Sequence, residues 1–276
     1  MFRRYNRHHP HYQLGMATNN KIQNPHSLST RDETVTFGFQ KVPTREKAKL
    51  VQRHFNSIAR KYDFMNTLLS FGLHYRWKWI AVNMLGLKQG CRVIDVCGGT
   101  ADLAILAARY VGPEGHVIVY DFNRAMMLAG KSKVRKALLD GRISYVQGDA
   151  EQIAFPNQYF DAAMVGFGIR NLAHMEKGLA EMYRVLKPGG TAMCLEFSRP
   201  TNPVFRFLYD AYSFYVMPFM GRLLTGSPTA YTYLPESIRL FPLPDELSEM
   251  LLHIGFSPVS YHRLTNGIAV VHLGIK

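Results

Sequence analysis

The sequence predicts an α/β fold: a doubly wound, mostly parallel seven-stranded sheet with an antiparallel C-terminal hairpin and N-terminal helices as a lid. From residue 92 onward, apolar strand-like segments alternate with segments of helical periodicity, which is typical of a parallel sheet with helices on both faces. The turn Thr265-Asn266-Gly267 joins the last two apolar segments directly and predicts an antiparallel pair. With 276 residues, 47% of them hydrophobic, the chain can bury a full core.

The elements follow from local periodicity. Apolar residues at helical spacing predict two helices before the sheet, over residues 44–60 and 77–85. The remaining elements are predicted in this order: strand 92–97, helix 101–111, strand 116–121, helix 123–139, strands 143–147 and 160–166, helix 175–186, strand 191–197, helix 245–254, and strands 256–262 and 268–273. Residues 187–190, Lys-Pro-Gly-Gly, are predicted to end a helix and turn into the next strand, because proline cannot continue a helix. An aromatic-rich insertion spans residues 203–224.

Basic residues are concentrated near the N-terminus. Lys and Arg outnumber Asp and Glu by 33 to 20, and no acid precedes Asp32. We expect residues 1–35 to form a basic, disordered leader and residues 36–276 to form the folded domain. The leader resembles a mitochondrial transit peptide in its lack of acids, and Met16 is an alternative start. The excess positive charge favours an anionic partner, either nucleic acid or a membrane, and solubility of the protein is the alternative explanation.

The three cysteines favour neither a zinc site nor a disulfide framework. Cys91, Cys97 and Cys194 have no C-x-x-C spacing, so we expect a reducing compartment and no metal. No apolar run approaches the ~20 residues that cross a bilayer.

The turn after the first sheet strand has the features of a nucleoside pocket. Gly98 and Gly99 let the backbone approach a ligand, and the free amides of the following helix face it. Asp121 ends the next parallel strand, where it can accept hydrogen bonds from both ribose hydroxyls. The adjacent glycines differ from the dinucleotide pattern G-x-G-x-x-G and resemble motif I of class I S-adenosylmethionine methyltransferases. A tight turn without a ligand is the alternative interpretation.

Asp149 follows the third strand of the sheet and is placed to accept a hydrogen bond from an adenine amine. An ordinary Asx turn is the alternative for this residue. Because Thr100, Asp121 and Asp149 end three successive strands, we expect them to line one crevice.

Three longer motifs resemble one known family. Residues 62–77, YDFMNTLLSFGLHYRW, and residues 184–198, RVLKPGGTAMCLEFS, are similar to signatures of the ubiquinone/menaquinone biosynthesis C-methyltransferase family, and residues 166–171, GFGIRN, resemble its fourth-strand motif. The resemblance covers residues 36–276. It implies a class I methyltransferase that transfers a methyl group from S-adenosylmethionine to a ring carbon of a polyprenylated hydroquinone, either a demethylmenaquinol or a methoxy-benzoquinol intermediate. The cofactor-binding residues implied here are Gly98, Gly99, Thr100, Asp121, Asp149, Ala150 and Gly166.

Two positions depart from the family pattern, which commonly has Gly where this chain has Ala101 and Ser where it has Gly166. We expect the Ala101 methyl group to crowd the methionine end of the cofactor. Gly166 lacks the serine hydroxyl that could bind the cofactor, so we expect a weaker affinity for the cofactor.

The predicted chemistry centres on Arg170. A phenolate pushes charge onto the ortho ring carbon, so Arg170 would polarise the acceptor hydroxyl while a bound water or His74 takes the proton. Tyr62 and Asn171 would orient the ring by hydrogen bonds. Each has a structural alternative: Tyr62 packs its helix, Asn171 caps a turn, and His74 is a buried structural histidine.

The aromatic insertion predicts a channel for the prenyl tail and a helix that rests on an anionic membrane. We expect peripheral attachment at the inner membrane from the cytoplasm, or alternatively from the mitochondrial matrix, with a homodimer or a quinone-biosynthesis complex as protein partners and no nucleic acid. Two rival functions remain at this stage: an RNA methyltransferase, and a non-catalytic subunit whose pocket is spoiled by Ala101.

Overall fold

This computed structural model describes residues 33–225 and 228–276. Of the predicted leader, residues 1–32 lie outside the described residues. The described helices and strands, in chain order, are β1 (Thr34–Phe37), β2 (Gln40–Pro43), α1 (Thr44–Ile58), α2 (Tyr62–Leu69), α3 (Leu73–Met84), β3 (Arg92–Val96), α4 (Asp102–Val111), β4 (His116–Asp121), α5 (Arg124–Lys136), β5 (Ile143–Gln147), β6 (Phe160–Gly166), α6 (Met175–Val185), β7 (Leu186–Phe197), α7 (Pro203–Ala211), α8 (Met217–Thr225), α9 (Pro228–Leu240), α10 (Pro244–Ile254), β8 (Val259–Leu264) and β9 (Ala269–Ile275).

The main sheet has the predicted class I methyltransferase architecture. Within the described residues its order is β5-β4-β3-β6-β7-β9-β8, with β3 to β7 parallel and the last two strands antiparallel. The chain leaves β3 toward β4 and β5 and then returns to place β6 on the other side of β3. Such a switch in direction opens a crevice at the carboxyl ends of the strands, where ligands bind in open α/β sheets.

The core consists of a layer on each face of this sheet. Side chains alternate along β3, so Val93 packs with α3 and α4 on one face and Ile94 packs with α6 and α10 on the other. Both side chains are fully buried, as are most residues of β6 and β7. The apolar runs that predicted these strands therefore reflect burial on both faces.

Two predicted boundaries differ from the structure. The segment 187–190 belongs to β7, which begins at Leu186, because Gly189 and Gly190 exchange backbone hydrogen bonds with Lys276. The strand predicted from residue 256 begins at Val259, after Phe256 has entered the core.

The sequence analysis missed the β1–β2 hairpin, α2 and α9. The two hairpin strands have four residues each, and α9 carries Pro235 in its interior, which suggests a helix end.

The aromatic insertion folds into helices. A π-helical turn, Tyr212–Val216, connects α7 to α8. None of the described helices is both long and apolar enough to traverse a lipid bilayer.

Candidate active site

Two neighbouring cavities lie at the carboxyl edge of the sheet. The first, the donor cavity, has a volume of about 630 Å³ and is lined by the ends of β3, β4, β5 and β6. The second, the acceptor cavity, has a volume of about 390 Å³ and is lined mainly by α1 to α3 and the helices after β7. Phe55, Tyr62, Lys78 and Phe167 line both cavities, so these four side chains form the wall between them.

The backbone at the mouth of the donor cavity is strained. Cys97 and Phe167 directly follow β3 and β6, and both adopt left-handed conformations, with φ of 55° and 58°. Non-glycine residues adopt this conformation at a cost of about 1–2 kcal/mol, and such strain clusters at functional sites. Gly98 follows Cys97 in the chain, and a Cβ there would be 2.8 Å from the Asp95 carbonyl oxygen. Only glycine therefore permits the close turn that opens this cavity.

Asp121 is buried against this turn. Its Oδ2 accepts a hydrogen bond from the Gly99 amide at 2.8 Å, and its Oδ1 accepts one from the Asn123 amide at 2.7 Å. Burial raises the pKa of Asp121 to about 6, although these two hydrogen bonds favour the ionised form. A carboxylate has about four acceptor positions, so Asp121 retains capacity for ligand hydroxyls.

Asp149 and Ala150 lie on the wall of the donor cavity after β5. The Oδ1 of Asp149 accepts a hydrogen bond from the Glu151 amide at 2.8 Å, so the Asx turn is present. The Asp149 side chain is exposed, while Ala150 is buried. The two interpretations of Asp149 are thus compatible, because the turn orients the carboxylate that lines the cavity.

The departures at positions 101 and 166 have local explanations. The Ala101 methyl group packs in the core with α4 and does not line the donor cavity, so the expected crowding of a ligand is wrong. The direction of this methyl group follows from the left-handed backbone conformation of Ala101, whose φ is 66°. Gly166 does line the donor cavity, but a Cβ there would lie 2.6 Å from Leu103 Cδ1. Leu103 thus occupies space that a serine side chain would need.

A network of charged residues forms one end of the donor cavity. Asp102 pairs with Lys78 at 2.7 Å and with Lys133 at 2.5 Å, and Lys133 also pairs with Asp63 at 2.7 Å. Burial opposes ionisation of Asp102, but the two lysines hold its pKa at about 2. The Thr100 hydroxyl donates to Asp63 Oδ1 at 2.7 Å. The network therefore fastens α2, α3 and α5 to the start of α4.

Asp95 is the buried acid in this cavity that lacks a full set of partners. It is 1% exposed, and its Oδ2 accepts a hydrogen bond from the Ala104 amide at 3.1 Å. Its Oδ1 has no hydrogen-bond partner among the described residues. Burial raises the pKa of Asp95 to about 8. A ligand that carries a cationic amine, as the amino acid end of S-adenosylmethionine does, would fit this unpaired oxygen.

The acceptor cavity brings together Tyr62, His74 and Arg170, whereas the predicted Asn171 lies on the donor side. The Asn171 side chain donates to the Gly168 carbonyl at 3.2 Å and accepts from the Tyr233 hydroxyl at 3.0 Å. It stabilises its own turn in this arrangement, so the structure does not place it against an acceptor ring.

Arg170 is held by a buried ion pair. Its Nη1 donates to Glu196 Oε2 at 2.8 Å and to the Phe167 carbonyl at 2.5 Å, and its Nε donates to Ser237 Oγ at 3.4 Å. The guanidinium also lies over the Phe197 ring at 5.6 Å. Burial opposes the charge of Arg170, but Glu196 raises the pKa of the guanidinium. Sequence reasoning missed Glu196, although a carboxylate in the apolar strand β7 was a signal.

His74 and His54 are both neutral lining residues of the acceptor cavity. Burial, with a contribution from Lys78, lowers the pKa of His74 to about 4. Burial and the nearby Arg170 lower the pKa of His54, which the sequence analysis missed, to about 4. With so low a pKa, His74 is a weak proton acceptor for the role predicted from the sequence.

Comparisons with known proteins agree with this geometry. Residues 34–276 match the ubiE/COQ5 methyltransferase family. The chain is 44% identical over 255 residues to the ubiquinone/menaquinone biosynthesis C-methyltransferase UbiE of Stutzerimonas stutzeri, which covers 92% of this chain and all of that protein.

Two solved structures share the fold. An S-adenosylmethionine-dependent methyltransferase from Thermotoga maritima has a TM-score of 0.56 at 18% identity, covering 81% of this chain and 99% of that one. Phosphoethanolamine N-methyltransferase 2 of Haemonchus contortus, solved with S-adenosylmethionine, has a TM-score of 0.54 at 15% identity, covering 72% of this chain and 52% of that one.

The buried Asp95 predicts that cofactor binding depends on pH. With a pKa of about 8, Asp95 is mostly protonated at pH 7, and a bound cationic amine would lower that pKa. Binding of S-adenosylmethionine at pH 7 should therefore release protons, and the affinity should rise from about pH 6 to 7.5. Calorimetry in buffers of different ionisation enthalpy measures this release.

Asp95→Asn should abolish that proton release. Asp161→Asn, which alters an acid outside both cavities, is the matched control and should retain it. A wild-type affinity that does not change over this pH range contradicts the role of Asp95.

Proposed function

The chain belongs to the ubiE/COQ5 methyltransferase family, whose members are S-adenosylmethionine-dependent C-methyltransferases, and we propose that it methylates a ring carbon of a polyprenylated hydroquinone. The observation that carries the proposal is the shared wall of the two cavities. Tyr62 and Phe167 separate a donor cavity suited to a nucleoside from an apolar cavity that contains a buried arginine. The acceptor is a demethylmenaquinol or the methoxy-benzoquinol intermediate of ubiquinone synthesis.

The donor cavity fits S-adenosylmethionine residue by residue. Asp121 would accept hydrogen bonds from the ribose hydroxyls, Asp149 one from the adenine amine, and Asp95 one from the amino group. Gly98 and Gly99 permit close approach of the backbone to the ligand. When bound, the cofactor supplies an activated methyl group on a positively charged sulfur.

The acceptor cavity fits an aromatic ring with an apolar tail. Its lining includes the aromatic side chains of Phe55, Tyr62, Phe71, Trp77, Phe167, Phe197, Phe205, Tyr209, Tyr212, Tyr231 and Tyr233. Such a cavity favours a ring with a prenyl chain over a flexible polar substrate such as RNA. The alternative that the protein is a non-catalytic subunit depended on Ala101 blocking the pocket. The methyl group of Ala101 packs in the core instead.

Arg170 would stabilise the developing phenolate. Its guanidinium stays charged, so it polarises the acceptor hydroxyl without removing the proton itself. Glu196 and the Phe167 carbonyl fix its orientation, so little reorganisation accompanies the reaction. A bound water is a better proton acceptor here than His74, because burial lowers the pKa of His74 to about 4.

The same proposal includes peripheral attachment to an anionic membrane. Phe71, Phe205 and Leu208 line the acceptor cavity and are also exposed, so the cavity opens among apolar side chains. Phe207 and Phe219, on α7 and α8, extend this exposed apolar surface and are 73% and 66% exposed. An apolar surface of this kind buries itself in the outer part of a bilayer, where a prenylated quinol dissolves. Attachment at the inner membrane and the homodimer or quinone-biosynthesis complex stay predictions.

Methyl transfer tests the function directly. The protein should transfer labelled methyl groups from S-adenosylmethionine to a demethylmenaquinol or a methoxy-benzoquinol presented in detergent, with mass spectrometry placing the label on a ring carbon. Labelling of RNA instead of either quinol would overturn the proposal.

Arg170→Lys should lower kcat by about a hundredfold, because lysine keeps the charge but loses the planar group that binds Glu196 through Nη1 and Ser237 through Nε. The Kd for S-adenosylmethionine should not change, since Arg170 does not line the donor cavity. Arg184→Lys is the matched control, because Arg184 pairs with Glu181 outside both cavities. Wild-type kcat in Arg170→Lys removes Arg170 from the mechanism.

Vesicle sedimentation tests membrane attachment. Binding to vesicles containing anionic lipid should weaken as salt rises, and the double substitution Phe207→Ser and Phe219→Ser should reduce it severalfold. Leu138→Ser is the control, because Leu138 is 87% exposed at the end of α5, away from the acceptor cavity. Equal binding of the double variant and the wild type argues against this surface.

A further inference from the structure

The acceptor cavity contains two buried polar atoms that lack partners. The Tyr231 hydroxyl and His74 Nδ1 have no hydrogen-bond partner within the part of the chain that the structure describes, and both residues line this cavity. Tyr231 is 4% exposed and His74 is 3% exposed. Buried polar groups in folded proteins are nearly always paired, because an unpaired group costs about 1–3 kcal/mol. Two such atoms in one cavity indicate a ligand that pairs with them.

The Tyr231 ring is fixed in place. A Cβ at Gly221 would overlap the Tyr231 ring, so this glycine in α8 allows the ring to lie directly against the helix backbone. On its other sides the ring packs in a cluster with Ile58, Met65 and Met217. The hydroxyl is therefore held in one position and needs no rearrangement to meet a ligand.

His74 offers an acceptor, as its hydrogen bond to Thr67 shows. The Thr67 hydroxyl donates its single proton to the Asp63 carbonyl at 2.8 Å. The Asp63 carbonyl can only accept, so with its proton committed there the Thr67 oxygen accepts from its other two neighbours, the Tyr75 hydroxyl at 3.2 Å and His74 Nε2 at 3.1 Å. The ring carries its proton on Nε2, and Nδ1 is left with a free lone pair. The cavity thus presents one unpaired donor, the Tyr231 hydroxyl, and one unpaired acceptor, His74 Nδ1.

We propose that Tyr231 is a specificity-determining residue that donates a hydrogen bond to a ring oxygen of the acceptor, while His74 Nδ1 accepts one from a ring hydroxyl. The inference rests on the proposed function and adds how the ring is recognised. A hydroquinone has two ring oxygens, each able to donate and to accept, so it carries a partner of the right kind for each atom. An analogue that leaves buried polar groups of a site unpaired binds much more weakly. An apolar site discriminates less between ligands that differ only in shape.

Tyr231→Phe tests the inference, since it removes the hydroxyl and keeps the ring. The KM for a short-chain prenylated hydroquinone should rise about tenfold, while the Kd for S-adenosylmethionine does not change. The melting temperature of the unliganded variant should equal or exceed that of the wild type, because the change removes an unpaired buried hydroxyl. A purely structural role would instead lower the melting temperature and leave the KM unchanged.

Tyr145→Phe is the matched control. Tyr145 in β5 also has a buried hydroxyl without a partner among the described residues, but it lines neither cavity. Its removal should leave the KM for the quinol at the wild-type value.

A matching change in the ligand completes the test. The wild type should bind the hydroquinone more tightly than the analogous prenylated monophenol, and Tyr231→Phe should lose most of that preference. If Tyr231→Phe keeps the wild-type KM, or keeps the full preference for the hydroquinone, the inference is overturned while the proposed function stands. If the wild type methylates neither benzoquinol nor naphthoquinol acceptors, the proposed function itself has failed.

Discussion

Charge buried away from water is the constraint on which this site depends. A methyl-transfer site must exclude bulk water, yet the two cavities are lined by Lys78, Asp95, Asp102 and Arg170, and Arg170 pairs with the buried Glu196. Removing one partner of a buried pair typically costs about 3–5 kcal/mol, so Lys78 is held by Asp102 and Arg170 by Glu196. Asp95 differs, because its Oδ1 has no hydrogen-bond partner among the described residues. In the function proposed above, the cationic amino group of the cofactor would supply the partner that Asp95 lacks.

Much of the fold could be predicted from the sequence because the parallel strands are buried on both faces. The runs that became β3, β4 and β6 are mainly apolar, and the Thr265-Asn266-Gly267 turn indicated the antiparallel pair at the end of the chain. Short or interrupted elements gave no such signal, as in the four-residue strands of the β1–β2 hairpin and in α9 with its internal proline.

Site residues could be predicted where they lie at the ends of strands. They could not be predicted where two side chains distant in sequence form a pair. Asp121 follows from its position at the end of β4, whereas the pairing of Arg170 with Glu196 requires β6 and β7 to be neighbours. His54 lies on α1 and reaches the acceptor cavity only through the packing of that helix. The prediction for Ala101 was wrong about where its methyl group points, because the left-handed backbone directs this group into the core.

The π-helical turn between α7 and α8 determines which side chains of the insertion face the acceptor cavity. A π-helical turn adds one residue to a helix, and one residue corresponds to about 100° of rotation about the axis. The two helices therefore differ in rotational phase. Phe205 and Leu208 line the cavity from α7, Tyr212 lines it at the first residue of the π-helical turn, and Met217 lines it from α8. An uninterrupted α-helix of the same sequence could not direct both sets inward, so the insertion acts as one curved wall made from two helical registers.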